Sequence, residues 1–505
     1  MARDEMNDQF STHVSALLDG ANQTVVVGSL AVLAAVSGLL VLLPGPTGTG
    51  VSALEGFLLF EVGFVFGLAL AISLVVLGII AVGPWGRITL GGDDATPAYG
   101  NGTYFAMLFA IGIAAGIAFF GPGEAAYYML DVPPGIDPGV DAHDRGVWGM
   151  SFTLTHWGII TSATSAVFAV PIGYYYYRDD APFRVSSALY PLVRDRPMLA
   201  AIVDIFAISG LVFGLASSIM ETTQNFLAGI SFQWGVASPE TGTVLFIAAV
   251  TLVYTLSAYT GLNRGIRRIS VLSLGLFLVM GGATFVFGGA SEIVGLSIGA
   301  TAAQPSHLYA LATSIQTEWV AIWHHYNTAI WFSISAGYGL FTARISYGRS
   351  LREIVAYAVV ASGLANMVWF YVVGGGVVRQ AISDGGETLS LIETEGFAVA
   401  AFPLLLEFPF GELFLFLFLG IGLLFIINSA DSQTMSVAMM TSKNTVDPPG
   451  IIRAFWGTAI GLVAVMLILV GGADIVGSFA VFTGFALAIL AVAALATTLV
   501  SMIRG

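Results

Sequence analysis

The chain has 505 residues, of which 57% are hydrophobic and only 10% charged. Soluble domains carry roughly a quarter charged residues, so the composition excludes them and points to a polytopic membrane protein. The absence of cysteine excludes disulfides, thiol catalysis and thiolate-bound metals, and a net charge of -14 with Lys443 as the sole lysine suggests the acidic, solvated loops of a halophile.

Residues 1–23 are polar and read as a cytoplasmic tail. The apolar run that starts at Thr24 is longer than the roughly 7 to 15 residues of a signal-peptide core, so it reads as a true first span. Apolar runs of about 20 residues predict twelve transmembrane helices, at 24–44, 56–82, 101–121, 147–177, 199–229, 242–260, 269–290, 315–343, 352–378, 410–440, 451–471 and 474–501. With both termini inside, this arrangement leaves only Arg145 and Arg379 of the 17 basic residues outside, as the positive-inside rule asks. Arg264, Arg267 and Arg268 then form a basic inner loop that topology alone explains.

The third span carries a Gly-rich stretch from Phe109 to Glu124, and the eighth mixes Asn327, Thr328, Ser333, Ser335, Gly337 and Gly339 into an apolar run. Both sets weaken a continuous helix, and irregular backbone at membrane depth is tolerated only where it lines a cavity or is buried in protein. Interrupted spans at corresponding places in two halves point to a transporter's binding site. Here they are five spans apart, which suits two inverted five-helix repeats, a 5+5 arrangement of spans 3–7 and 8–12 over residues 101–312 and 313–505, with two peripheral helices in 24–100. Of the outer loops, 131–145 is rich in Pro, Gly and Asp, and 379–410 is apolar enough to lie on the membrane surface. After the eighth span, 345–353 reads as a short connecting helix at the inner interface.

Four motifs in order, Ala343-Arg344-Ile345-Ser346-Tyr347-Gly348-Arg349-Ser350-Leu351-Arg352-Glu353, His156-Trp157-Gly158, Ser186 to Leu192, and Phe425-Ile426-Ile427-Asn428-Ser429-Ala430-Asp431-Ser432, resemble the betaine/choline/carnitine transporter family. The similarity runs from about the third span to the eleventh. It implies an all-α, leucine-transporter-like fold, a homotrimer in the plasma membrane, and secondary active transport of a small zwitterionic compatible solute, often as a sodium symporter. Osmoprotection is the implied role. The open alternatives are a sodium-independent exchanger and a transport-inactive solute receptor or osmosensor.

Family members that bind trimethylammonium groups hold them in aromatic rings of the fourth and eighth spans, by cation–π attraction. Trp157 and Trp331 keep that character, whereas Ser162, Ser165, Thr328, Ile330 and Ile334 stand where further aromatic rings are expected. The resemblance therefore implies a substrate site at Gly112, Ala114, Gly116, Trp157, Ser162, Ser165, Asn327, Thr328 and Trp331. Its serines, Asn327 and Thr328 suit an amino-acid-like or hydroxylated solute as well as glycine betaine or choline. Each hydroxyl is equally able to bond its own helix backbone. The implied sodium site falls on Ala110, Ile113, Phe425, Asn428 and Ser429, with Asn428 where a Thr is expected.

Ionisable groups within spans cost several kcal/mol unless they face a cavity. Glu221 is thus a candidate coupling carboxylate, a cation or proton carrier. Glu124 and Asp431 read as structural partners, and His324 and His325 as a solvated vestibule face. No nucleophile elbow, His-Glu-x-x-His motif or phosphate loop occurs, so the chain reads as no enzyme, with no cofactor, no nucleic-acid partner and no metal beyond a coupling sodium ion.

Overall fold

The structure is a computed structural model that describes residues 21–504, apart from 113–115, 138, 237–239, 262–264, 314 and 444. Among the described residues it is helical, with isolated bridges at Ala21–Ser442 and Thr89–Ser350 in place of any sheet. Nine of the described helices are long and apolar enough to cross a membrane, and they coincide with nine of the predicted spans. The third and eleventh spans correspond to the shorter Asn101–Ile111 and Gly450–Met466. The eighth, Tyr326–Ile345, has the length, but Asn327, Thr328 and its serines lower its hydropathy.

Helix continues from Gly450 to Arg504 for 55 residues. A straight helix of that length would reach about 80 Å, against a hydrocarbon core of about 30 Å. It does not run straight. Arg453 near its start donates to Tyr259 O at 3.3 Å, Ser478 in its middle donates to Glu55 Oε2 at 2.6 Å, and Met502 O near its end accepts from Trp85 Nε1 at 2.9 Å. The first and last of these contacts lie at the basic end of the bundle, where Arg344 donates to Val446 O and Arg352 to Ala81 O, and Glu55 lies at the other end. The run therefore doubles back.

Two expectations about local structure are corrected. Tyr326–Ile345 is one continuous α-helix, preceded by a wider π-type turn at Val320–His325, so the eighth span is not broken at its centre. Ser333 and Ser335 donate to Ile330 O and Phe332 O within the helix. Its glycines serve close approach: Ser436 reaches Gly337 O at 2.8 Å, and a Cβ on Gly339 would sit 2.4 Å from Phe168 Cβ. The interruption lies instead in the fourth span, where the helix Ala142–Trp157 stops at Gly158 (φ -88°, ψ -151°) and passes through a 3-10 turn at Ala163–Ser165 before Ala169–Asp179.

The segment after the eighth span is likewise a turn and not a connecting helix. Gly348 has φ +76°, and a Cβ there would lie 2.2 Å from the Thr96 carbonyl carbon. Ser350 then starts the next helix through a reciprocal cap, its Oγ accepting from Glu353 N at 3.3 Å while Glu353 Oε2 accepts from Ser350 N at 2.9 Å. One helix, Ala290–Thr313, was not anticipated. It packs on Ala142–Trp157 through His307, whose ring stacks on Phe152 at 3.6 Å and bonds Ser151 and Thr155 at 3.1 and 3.0 Å.

Small residues let the helices meet. A Cβ on Gly484 would stand 2.1 Å from Ala329 O, so the C-terminal helix and Tyr326–Ile345 meet backbone to backbone there. Gly484→Leu is expected to push these helices apart and leave little folded protein. The yield of monodisperse protein in detergent measures this, and a normal yield would refute the contact.

Candidate functional site

A cavity of about 560 Å³ opens among the helices at the end away from Arg349 and Met502. Of the residues predicted for substrate or ions, it gathers Gly116, Trp157, Glu221, Asn327, Trp331 and Ser429. Ser162 and Ser165 lie apart, in a small deeper pocket of about 20 Å³ that shares Trp331 and Tyr338 with the large cavity. Thr328, Ala110, Phe425 and Asn428 line neither of these two cavities, and Gly112 ends the helix Asn101–Gly112. Ile113 and Ala114 lie outside the described residues, as does Arg264.

The hydroxyls at the expected ring positions are already engaged. Ser162 Oγ donates to Gly158 O at 2.9 Å, Thr328 Oγ1 to His324 O at 2.8 Å, and Ser165 Oγ to Ala358 O at 3.0 Å. The first two are the intrahelical bonds that hydroxyls at membrane depth form readily. Asn327 differs: its Oδ1 is buried with no partner among the described residues.

Further aromatic rings enter the cavity from the third span and from other positions of the eighth. Phe120, Trp323, Tyr326 and Tyr338 join Trp157 and Trp331 in its wall. Trp157 stacks on Phe370 at 5.3 Å between ring centroids, and meets Phe120 at 5.1 Å and Trp331 at 5.5 Å. Tyr338 was legible, since it lies two turns along one helix face from Trp331. Phe120 and Trp323 were not. Above them, Phe397 of the 379–410 loop packs on Trp323 and Tyr127 at 5.8 and 4.8 Å, so that loop folds onto the site's rim.

Glu221 is 9% exposed and faces the cavity; Ser217 Oγ, one turn back, donates to its Oε1 at 3.2 Å. Of the residues named for sodium, Ser429 faces the cavity and accepts from Gln433 Nε2 at 3.3 Å. Asn428 Oδ1 accepts from Ser270 Oγ at 2.9 Å, and its amide nitrogen has no partner among the described residues. Phe425 packs edge-on against Phe109 at 5.7 Å. Hard cations take hydroxyl and carbonyl oxygens, and the donor nearest the cavity here is Ser429.

Of the histidines of the eighth span, His325 is buried and His324 half-buried. His325 is 1% exposed and its Nδ1 lies 2.8 Å from Leu59 O, while His324 packs its ring against His156 with centroids 5.5 Å apart. Asp431 is buried and accepts from Ser257 through Oδ2, which ties the helices Gly411–Thr441 and Glu240–Thr260 together.

Comparison with known proteins agrees with this architecture. The model of the betaine/carnitine/choline family transporter matches residues 24–504. A glycine betaine transporter of Acinetobacter baylyi is 29% identical over 459 residues, 89% of this chain and 69% of that one. A probable glycine betaine transporter of Desulfitobacterium hafniense is 30% identical, over 86% of this chain and 87% of its own. The high-affinity choline transport protein of Escherichia coli is 28% identical, over 84% of this chain and 63% of its own.

Proposed function

The chain belongs to the betaine/carnitine/choline family of transporters, which are not enzymes, and from that premise we propose that it carries a small solute of the betaine and choline type across the plasma membrane by alternating access, as a sodium symporter. The observation that carries this reading is the aromatic cavity of about 560 Å³, whose lining holds Trp157, Trp323 and Trp331 together with the buried carboxylate of Glu221. In this reading Gly112, Ala114, Gly116, Trp157, Asn327 and Trp331 surround the solute. Ser162 and Ser165 meet it further in, and Thr328 acts through the helix that its hydroxyl caps internally.

Sodium is proposed to bind at Ser429 with the carbonyls of Ala110, Ile113 and Phe425, aided by Asn428 once Ser270 releases it. Glu221 is the coupling carboxylate or the counter-charge of the solute. Twelve spans, inverted repeats at 101–312 and 313–505, cytoplasmic termini and a homotrimer complete the proposal.

Uptake by proteoliposomes of labelled glycine betaine, choline and amino-acid osmolytes, with and without an inward sodium gradient, tests it. Sodium-driven accumulation of one of them is expected. Exchange without sodium would replace the symport reading, and binding without uptake would leave a receptor. Within the same assay, Thr328→Ala is expected to leave KM within about twofold, because its hydroxyl is satisfied by the preceding turn, whereas Asn327→Ala is expected to raise it. Equal effects of the two would contradict the division of roles given above.

A further inference from the structure

Glu124 occupies the first turn of the helix Gly121–Tyr127, is 1% exposed, and contributes to the cavity wall. Its two oxygens meet three polar groups. Oε2 accepts from Trp157 Nε1 at 2.6 Å, and Oε1 accepts from Tyr128 Oη at 2.8 Å and lies 2.7 Å from His156 Nδ1. His156 in turn offers its backbone carbonyl to Trp331 Nε1 at 2.9 Å. The Trp157 N–H thus ends on the Glu124 carboxylate, and the Trp331 N–H on the backbone of the histidine that meets the same carboxylate.

The charge on Glu124 follows from counting donors. A carboxylate accepts from three donors without conflict, whereas a protonated carboxyl would have to donate at one of them. His156 Nε2 is buried with no partner among the described residues. The contact with Glu124 is therefore made through Nδ1, whose N–H donates to the carboxylate. Glu124 thus stands as a carboxylate that accepts from all three neighbours. It sits directly behind Trp157, in surroundings where water screens little. Among the described residues lining the cavity there are three glutamates, Glu55, Glu124 and Glu221, and neither lysine nor arginine.

We propose that Glu124 is the positioning residue that gives this cavity its preference for a positively charged head group. It fixes the Trp157 ring and, through His156, the Trp331 ring, and it places a negative charge behind them. Accepting the Trp157 N–H into a carboxylate enriches the indole in electron density and strengthens its attraction for a cation. The proposal rests on the transport reading, and its test separates the two.

Two probes of one shape serve: choline and its uncharged carbon isostere, 3,3-dimethylbutan-1-ol. Binding to the purified full-length protein is read by tryptophan fluorescence, and choline uptake by proteoliposomes. Glu124→Gln keeps an acceptor for Trp157 and removes the charge. It is expected to weaken choline by about tenfold and the isostere by less than about twofold, with KM for choline rising and kcat little changed. Glu124→Asp, which retains the charge, is expected to keep most of the discrimination between the probes, and Glu124→Ala supplies the uncharged readout if Glu124→Gln does not fold. A parallel loss of both probes, or discrimination unchanged in Glu124→Gln, overturns the proposal. Absence of binding and uptake of every solute by the unsubstituted protein overturns the transport reading itself, and this proposal with it.

Discussion

Arg349→Leu is expected to destabilise the protein by about 2 kcal/mol, as losing the hydrogen bonds of a buried charged group does, and to abolish gradient-driven accumulation. The guanidinium is 3% exposed and reaches Asn101 Oδ1 at 2.7 Å, Tyr99 O at 2.8 Å and Glu353 Oε1 at 3.1 Å. It also lies over the rings of Tyr104 and Tyr357, at 4.7 and 5.5 Å. Glu353 is 42% exposed, so that ion pair is screened and contributes little. The part-buried bonds to Asn101 Oδ1 and Tyr99 O and the contacts with the two rings decide the effect, because leucine replaces none of them.

These bonds join the start of the helix Asn101–Gly112 to the turn after Tyr326–Ile345, at the end of the bundle away from the cavity. If they hold that end shut, breaking them turns accumulation into leak. Arg349→Lys keeps the charge but not the planar fork, and is expected to be intermediate. Thermal unfolding in detergent and uptake by proteoliposomes measure both effects; full accumulation by the leucine variant with an unshifted melting temperature would refute the role.

How much of this was legible beforehand follows from range. Nine spans were readable because hydropathy is a local sum over about 20 residues. The same sum passed over Ala290–Thr313, a helix with Pro305 and His307 inside it, and it could not show that Gly337 and Gly339 serve packing, because the partners Ser436 and Phe168 lie far along the chain. The site divides in the same way. Glu221 could be named from its place within a span, and Trp157 and Trp331 from the family's motifs, and the structure finds all three in the cavity wall. The role of Glu124 could not. Tyr128 is four residues away, but His156 and Trp157 are 32 and 33 away, and only the fold brings them to one carboxylate. Hydroxyl groups mislead for the opposite reason: Ser162 and Thr328 looked available, yet a turn of helix satisfies each locally.

The second large effect is expected at Trp331, whose ring belongs to both the large cavity and the small pocket of Ser162 and Ser165. With Tyr338 it forms the partition between them. The ring is 5% exposed, pinned by its N–H to His156 O and by its edge against Trp157. Trp331→Ala removes that partition and about 3 to 5 kcal/mol of packing, the usual range for a buried tryptophan. A solute that no longer has to wait for the partition to move should cross in either state, so the variant is expected to release preloaded solute without any ion gradient. Trp331→Phe keeps a ring in place and loses only the bond to His156 O, a change worth about 1 kcal/mol, and is expected to remain coupled with weaker binding. Efflux from preloaded proteoliposomes, with and without sodium on both sides, compares the two. If Trp331→Ala folds and still requires the gradient, the ring is a wall of the site and not its floor, and the barrier to the inner side must be sought at the Arg349 end alone.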